Sequence, residues 1–427
     1  MTTDSKVHEA SRTKLLELME LIGHFRRLTA GQRNTFIACF LGWSLDAFDF
    51  FILVFCVSAL ATQFQTKVSA ITEAIFLTLA MRPVGAILFG LMADRFGRRP
   101  TLMVDIIAYS VFELASAFAP SLKIFLITRA LFGIAMGGEW GVGAALAFET
   151  LPAEGRGFFS GLLQEGYAAG YLMAALAYAV AFRFVGWRGM FVIGALPAFV
   201  VIYIRTKVDE SPAWTQGRVS RDAESRLGKD IRTYLGTFAF LVVLMFALNS
   251  FSHGTQDLYP TFLQKDHKLT PQTVGMIAII ANIGALVGGI VFGNWSEKIG
   301  RRKAIVIAAL LSIPVIPLWA YSRTVPMLAL CGFLMQLLVQ GAWGVIPAHL
   351  NELSPPAVRG TFPGFAYQLG NFLSSWNGVK QARFAEQRYG GAFAPALAWS
   401  VLLVASLVAI VTWSGKERRG ADLSNTT

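Results

Sequence analysis

The chain has 427 residues, 55% of them hydrophobic and only 15% charged, with a mean hydropathy of +0.54. Soluble domains carry roughly 25% charged residues, so this composition excludes an ordinary soluble domain and points to a lipid-solvated chain. Cys39, Cys56 and Cys331 stand apart in apolar runs, which argues against a disulfide framework or a Cys/His metal site, and no metal is expected.

The first 34 residues are polar and lack the basic start and apolar core of a signal peptide. The Leu and Met spacing over Lys14–Leu28 predicts a short helix lying on the membrane or the protein. Twelve segments then approach the roughly 20 apolar residues that a bilayer core demands. They run over 35–60, 71–92, 101–119, 122–148, 157–182 and 187–205, then 233–258, 274–294, 303–321, 325–349, 359–383 and 392–413. The implied organisation is a leading segment 1–34, a six-helix unit 35–205, a linker 206–232, a second six-helix unit 233–413 and a tail 414–427.

Basic residues set the expected orientation. Arg26, Arg27 and Arg33 precede the first span, Arg95, Arg98 and Arg99 follow the second, and Lys298, Arg301, Arg302 and Lys303 follow the eighth. The alternate loops are poorer in charge, so both termini and the linker are expected in the cytoplasm. The net charge of +11 follows from that topology. The partner it implies is the bilayer, and nucleic acid is not expected.

A repeat joins the two units. GLMADRFGRR begins at Gly90 and GNWSEKIGRR at Gly293, an offset of 293 − 90 = 203 residues. The same offset carries Trp140-Gly141 onto Trp343-Gly344, Glu149 onto Glu352, and Arg156-Gly157 onto Arg359-Gly360. Halves repeated in one orientation are an architecture of membrane transporters. The loop G-x-x-x-D-R-x-G-R-R resembles the signature of the major facilitator superfamily, and Arg129 with Gly133 and Gly137 resembles a second one. The resemblance implies an all-α membrane protein with twelve transmembrane helices in two pseudo-symmetric six-helix bundles. Asp94, Arg95 and Arg98, with Glu297 and Arg301 in the copy, are expected to act as a cytoplasmic latch. Arg129, Glu149, Glu352 and Arg359 are grouped with them as gating residues. The alternative is a basic loop that only sets topology.

Ionisable groups inside spans are costly and mark functional sites. WSLDAFDFF puts Asp46 and Asp49 one turn apart; Arg82 lies in the second span, Arg129 and Glu139 in the fourth, and Glu165 in the fifth. The seventh holds Asn249, His253, Gln256 and Asp257. The offset carries Asp46 onto Asn249 and Asp49 onto Ser252, so Asp46, Asp49, Asn249 and His253 are expected around one midplane site. Arg82 offers a planar fork for a carboxylate. Asn249, Gln256, Gln368 and Asn371 offer neutral hydrogen bonds to a hydroxyl or keto oxygen. His253, Asp257, Asp46 or Asp49 could take the proton. The alternatives are an ion pair between one aspartate and Arg82 or Arg129, and a packing role for His253.

The string N-x-x-S-H-x-T-Q-D-x-x-x-T, from Asn249 to Thr261, resembles the signature of the lactate/pyruvate–proton symporters within the sialate:proton symporter family. LGWSLDAFDFF and YQLGN (Tyr367–Asn371) are similar to that family as well. The resemblance implies proton-coupled import of a short monocarboxylate. It also implies that Asn249, His253, Asp257 and Gln368 shape recognition, with Arg82 as the carboxylate's partner. The short linker differs from the sialic acid carriers, which tend to have extra central segments. Other substrates left open are sialic, aromatic or hydroxy acids; a non-transporting sensor is the remaining alternative. No H-E-x-x-H, P-loop or G-x-S-x-G occurs, so neither enzymatic chemistry nor a cofactor is expected. The expected setting is a bacterial inner membrane, and the working unit a monomer.

Overall fold

The computed structural model describes residues 25, 27–151, 159, 162–215, 232–354 and 362–418. The helix expected over Lys14–Leu28, Arg359 and most of the linker lie outside these residues. All regular structure among them is helical. In the first half α1 is Ala30–Gln63, α2 Val68–Phe96, α3 Arg98–Ala117, α4 Leu122–Thr150, α5 Gly166–Gly194, α6 Val200–Lys207 and α7 Pro212–Thr215. In the second, α8 is Leu235–Gln256, α9 Tyr259–Lys265, α10 Pro271–Ile299, α11 Arg301–Tyr321, α12 Val325–Leu353, α13 Phe362–Ser374, α14 Asn377–Arg388 and α15 Phe393–Ser414.

Among the described residues ten stretches are long and apolar enough to cross a membrane unaided. The other two crossings are segmented. Gly186, at φ +61°, breaks α5 into the fifth crossing and the start of the sixth, which continues through the 3-10 turn Leu196–Phe199 into α6. The eleventh crossing is interrupted between α13 and α14. The count is therefore twelve, in two bundles of six.

The repeat is written into the helix ends. Shifted by the sequence offset, α2 becomes α10 and α4 becomes α12, end for end, and α3 becomes α11 to within a residue. Gly97 and Gly300, at φ +104° and +98°, make the same turn in each half. That conformation is strained for any residue with a side chain. The crossings match too. A Cβ on Gly85 would lie 1.7 Å from the Ile134 carbonyl oxygen, and one on Gly288 2.0 Å from that of Leu337. Backbone cannot retreat as a side chain can, so small residues are needed where these helices meet.

Local signals explain the boundaries. Thr29 and Gln32 form a reciprocal capping box that starts α1. Thr270 caps α10, with Pro271 in its first turn. Phe184, Leu403, Ile410 and Trp413 are exposed on the outside, while Asp46, Asp49, Glu113 and Arg129 are wholly buried. Apolar outside and charged inside is the arrangement lipid selects. The face carrying the start of α1, the end of α15 and the Gly97 and Gly300 turns is called the terminal face below.

Candidate substrate and proton site

The first half encloses a charged interior. Asp46 and Asp49 on α1, Asp105 and Glu113 on α3, Glu139 on α4, and the arginines Arg82 on α2 and Arg129 on α4 are all buried. Five carboxyls therefore face two guanidiniums. Arg129 forms a close ion pair with Glu113 and stacks over Phe132, 3.9 Å from the ring centre. Arg82 is held more loosely, 4.0 Å from Asp46 and 5.8 Å from the Trp43 ring. Among the described residues, Arg82 Nε and Nη2 and both oxygens of Asp46 have no hydrogen-bond partner. An unbonded buried guanidinium is a strong attractor for an anion.

The second half presents amides and a histidine. His253 Nδ1, on α8, lies 3.1 Å from Asp257, the residue that ends that helix, and its ring packs edge-on against Phe50 of α1, centres 5.9 Å apart. Phe50 and His253 are equivalent in the repeat, so the pseudo-symmetry axis passes between them. The Phe50–His253 contact joins the two halves around one centre. Asn249 Nδ2, Gln368 Oε1 and both polar atoms of Asn371 are buried without partners among the described residues. Aromatic walls complete the centre: Trp43 packs on Tyr167 at 5.8 Å, and Phe51 on Tyr171 at 4.4 Å.

Both exits are narrowed. Toward the terminal face, Tyr367 is packed by Trp140 at 5.8 Å and by its repeat mate Trp343 at 5.9 Å. At the opposite face Glu386 accepts hydrogen bonds from the Ser69 N–H, 3.0 Å, and hydroxyl, 2.6 Å. Ser69 lies in the first turn of α2, so a carboxylate of one half caps a helix of the other. Gln264 adds hydrogen bonds to the Phe55 carbonyl, 3.3 Å, and to Tyr178, 3.1 Å.

The terminal-face clusters repeat as pairs. Arg98 donates to Glu149 at 3.2 Å, and Arg301 to Glu352 at 3.1 Å. Arg301 also meets Glu297 at 2.6 Å; the side chain of Asp94, its repeat equivalent, lies outside the described ones. A glutamate beyond each bundle caps the third helix of that bundle. Glu210 accepts from the Arg98 N–H at 3.0 Å and Glu417 from the Arg302 N–H at 3.0 Å. Arg95 lies exposed beside Phe96.

Several expected placements are revised. Arg129 was grouped with the gate, yet it sits seven residues into α4 from the opposite face and is closed off by Glu113. It is Phe50 of α1 that packs on His253, while Asp49 lies 2.9 Å from where a Gly194 Cβ would stand. Gln256 donates to Gln336 at 2.8 Å, so its amide nitrogen is committed to a network that includes Thr255. Glu165 sits beside Gly289 of α10, between the halves. Asp105, Glu113, Glu386 and Tyr167 were missed. Asp105, Tyr109 and Glu113 recur every four residues within an apolar run, a stripe that could have flagged the first two.

Two repeated six-helix bundles around a polar, doubly gated centre define a membrane transporter of the major facilitator type. The family model described as "Sugar (and other) transporter" matches residues 34–237 and 233–411, and the chain belongs to that family. It is a transporter rather than an enzyme. It is 30% identical over 409 residues to the carboxylic acid transporter protein homolog of Saccharomyces cerevisiae, covering 89% of this chain and 65% of that one. The chain thus spans just under two thirds of that relative's length. It is 28% identical over 350 residues to the sialic acid transporter NanX of Escherichia coli, covering 81% of this chain and 85% of that one. In fold it is similar to the xylose transporter XylE of E. coli in a partially occluded inward-open conformation. There the TM-score is 0.73 at 20% identity, covering 92% of this chain and 100% of that chain.

Proposed function

We propose that the chain is a proton-coupled symporter of a small organic acid, with a short monocarboxylate of the lactate or pyruvate kind as substrate, and that it works by alternating access. The observation that carries the reading is Arg82: a buried guanidinium with unused donors, loosely held by Asp46 at 4.0 Å. An incoming carboxylate displaces Asp46 from Arg82, because its fork geometry suits two parallel hydrogen bonds. Asp46, deprived of its counter-charge inside the membrane, takes up a proton. Anion and proton then enter as a neutral pair, and the bundles can rock with no net charge added to the interior. Asn249, Gln368 and Asn371 hydrogen-bond the substrate's hydroxyl or keto oxygen, and His253, oriented by Asp257, faces it across Phe50. The names of the relatives support an acid. The terminal face is cytoplasmic in this reading, and the membrane is a bacterial inner membrane.

The aromatic walls favour one second reading, an aromatic or otherwise planar acid packed against the wall that Trp43 and Tyr167 form together. A competition panel in proteoliposomes decides: labelled lactate against pyruvate, acetate, sialate and benzoate. Displacement by pyruvate but not benzoate supports the first reading; the reverse supports the second. Arg82→Ala should abolish transport of every acid while folded protein persists in the membrane. Wild-type uptake in that variant would remove Arg82 from the site.

A further inference from the structure

Two amides of α12 have no part in the mechanism above. Gln336 and Gln340 stand one turn apart on that helix, at the positions where the first half has Gly133 and Gly137. With three residues of α8 they form one hydrogen-bonded chain. Gln340 Nε2 donates to Ser252 Oγ at 3.3 Å, and Ser252 Oγ to Gln256 Oε1 at a longer 3.4 Å. Gln256 Nε2 donates to Gln336 Oε1 at 2.8 Å, and Gln336 Nε2 to Thr255 Oγ1 at 3.2 Å. Thr255 Oγ1 ends the chain on the Phe251 and Ser252 carbonyls, 3.0 Å from each.

The backbone end fixes the sense of every link. A carbonyl only accepts, so the Thr255 hydroxyl gives its hydrogen there and its oxygen must accept from Gln336. That turns the Gln336 carbonyl to Gln256, whose amide nitrogen donates to it. Gln256 Oε1 is then left for Ser252, which commits the one hydrogen of the serine. Ser252 Oγ can only accept from α12, so Gln340 presents its NH2 and keeps its own Oε1 outside the chain. Among the described residues that oxygen receives no hydrogen bond. Gln340 is half-buried, and an unfilled acceptor within a membrane span is a place for a donor.

The surroundings of Gln340 belong to the central site. Ser252, which it holds, lies three residues from Asn249 and next to His253, on one face of α8. Asn249 Nδ2 is a buried donor without a partner among the described residues, and His253 meets Phe50 of the first half. Three residues along α12 from Gln340, Trp343 packs on Tyr367 at the narrowed exit. This part of the site thus offers a donor from Asn249 and an acceptor from Gln340. A keto oxygen only accepts and satisfies the first alone. A hydroxyl satisfies both.

We propose that Gln340, held in one orientation by Ser252, Gln256, Gln336 and Thr255, is a specificity-determining residue that accepts the hydroxyl hydrogen of the substrate. The substrate class is then the 2-hydroxy acids in preference to the 2-keto acids. This rests on the organic-acid reading above and narrows it.

The test uses the full-length protein in proteoliposomes and two acid pairs, lactate with pyruvate and phenyllactate with phenylpyruvate. A short and an aromatic substrate are then read alike, from the ratio of half-saturating concentrations within a pair. The wild type should favour the hydroxy acid by about tenfold, the order set by one hydrogen bond and an acceptor otherwise left unfilled. Gln340→Met keeps the length and loses the acceptor, and should bring the ratio to about one. A wild type without preference, or a ratio in Gln340→Met that stays at the wild-type value, overturns the inference and leaves the acid reading standing. If Gln340→Met fails to fold, Ser252→Ala takes its place. Without the serine the amide can turn its NH2 to a keto oxygen, so the ratio should narrow, and an unchanged ratio overturns the inference. A wild type that takes up other acids but neither pair overturns this inference alone; one that takes up no acid overturns both.

Discussion

The two halves share a frame and divide the chemistry. Their helices end at equivalent residues, and the terminal-face pairs Arg98–Glu149 and Arg301–Glu352 are copies of each other. The buried charges are not copied. At the positions equivalent to Asp46, Asp49, Arg82, Asp105, Glu113, Arg129 and Glu139 the second half has Asn249, Ser252, Ala285, Ala308, Ile316, Gly332 and Ala342. In return, His253, Gln256 and Asp257 stand where the first half has Phe50, Leu53 and Val54. What frames the bundles and pairs the terminal-face charges is symmetric, and what handles charge inside is not. The physical reason is cost. A second set of buried ions would have to be paired or protonated again, whereas amides distinguish substrates without charge.

The comparison can be broken at its strongest point first. Arg129→Ala leaves Glu113 buried without its partner and should destabilise the first half by about 3–5 kcal/mol. Thermal denaturation in detergent reads this. The double variant Arg129→Met/Glu113→Leu should recover most of the loss, since an apolar pair of similar volume replaces both ions. Next is His253→Phe, which installs the repeat equivalent and strands Asp257, at about 1–3 kcal/mol. Adding Asp257→Val should relieve that cost. Substrate affinity should fall in both, while the number of protons moved per acid stays that of the wild type.

Smaller effects sharpen the symmetric part. Glu352→Gln should cost more than Glu149→Gln, because Glu352 is 6% exposed and Glu149 22%; a comparison of melting temperatures checks the order. Smallest of all, Glu386→Gln removes the charge that caps α2 from the other half, about 0.3–1 kcal/mol. Faster amide hydrogen exchange across Val68–Thr72 is the expected sign.

The frame was legible because its signals are local. Apolar lengths gave the spans, and the Gly97 and Gly300 loops gave the offset that the helix ends reproduce. The segmented crossings were also expected as spans, since composition is indifferent to a break at Gly186 or beside Trp376. Partner choice was not legible. On sequence alone the partner offered to Arg129 is Asp46 or Asp49, and only the approach of α3 to α4 selects Glu113. The latch between Ser69 and Glu386 spans 317 positions and has no local signature. Asp105 and Glu113 were readable from their spacing, yet a span judged by apolar length alone hides them.

The central claim is that the first half binds the carboxylate at Arg82 and carries the proton, while the amides of the second half discriminate the rest of the acid. Proton and acid flux measured together in proteoliposomes, for the wild type and Asp46→Asn, tests it most directly. The account predicts one proton per monoanion in the wild type, and in Asp46→Asn acid exchange with no accompanying proton. One proton per acid still moving in Asp46→Asn would contradict it.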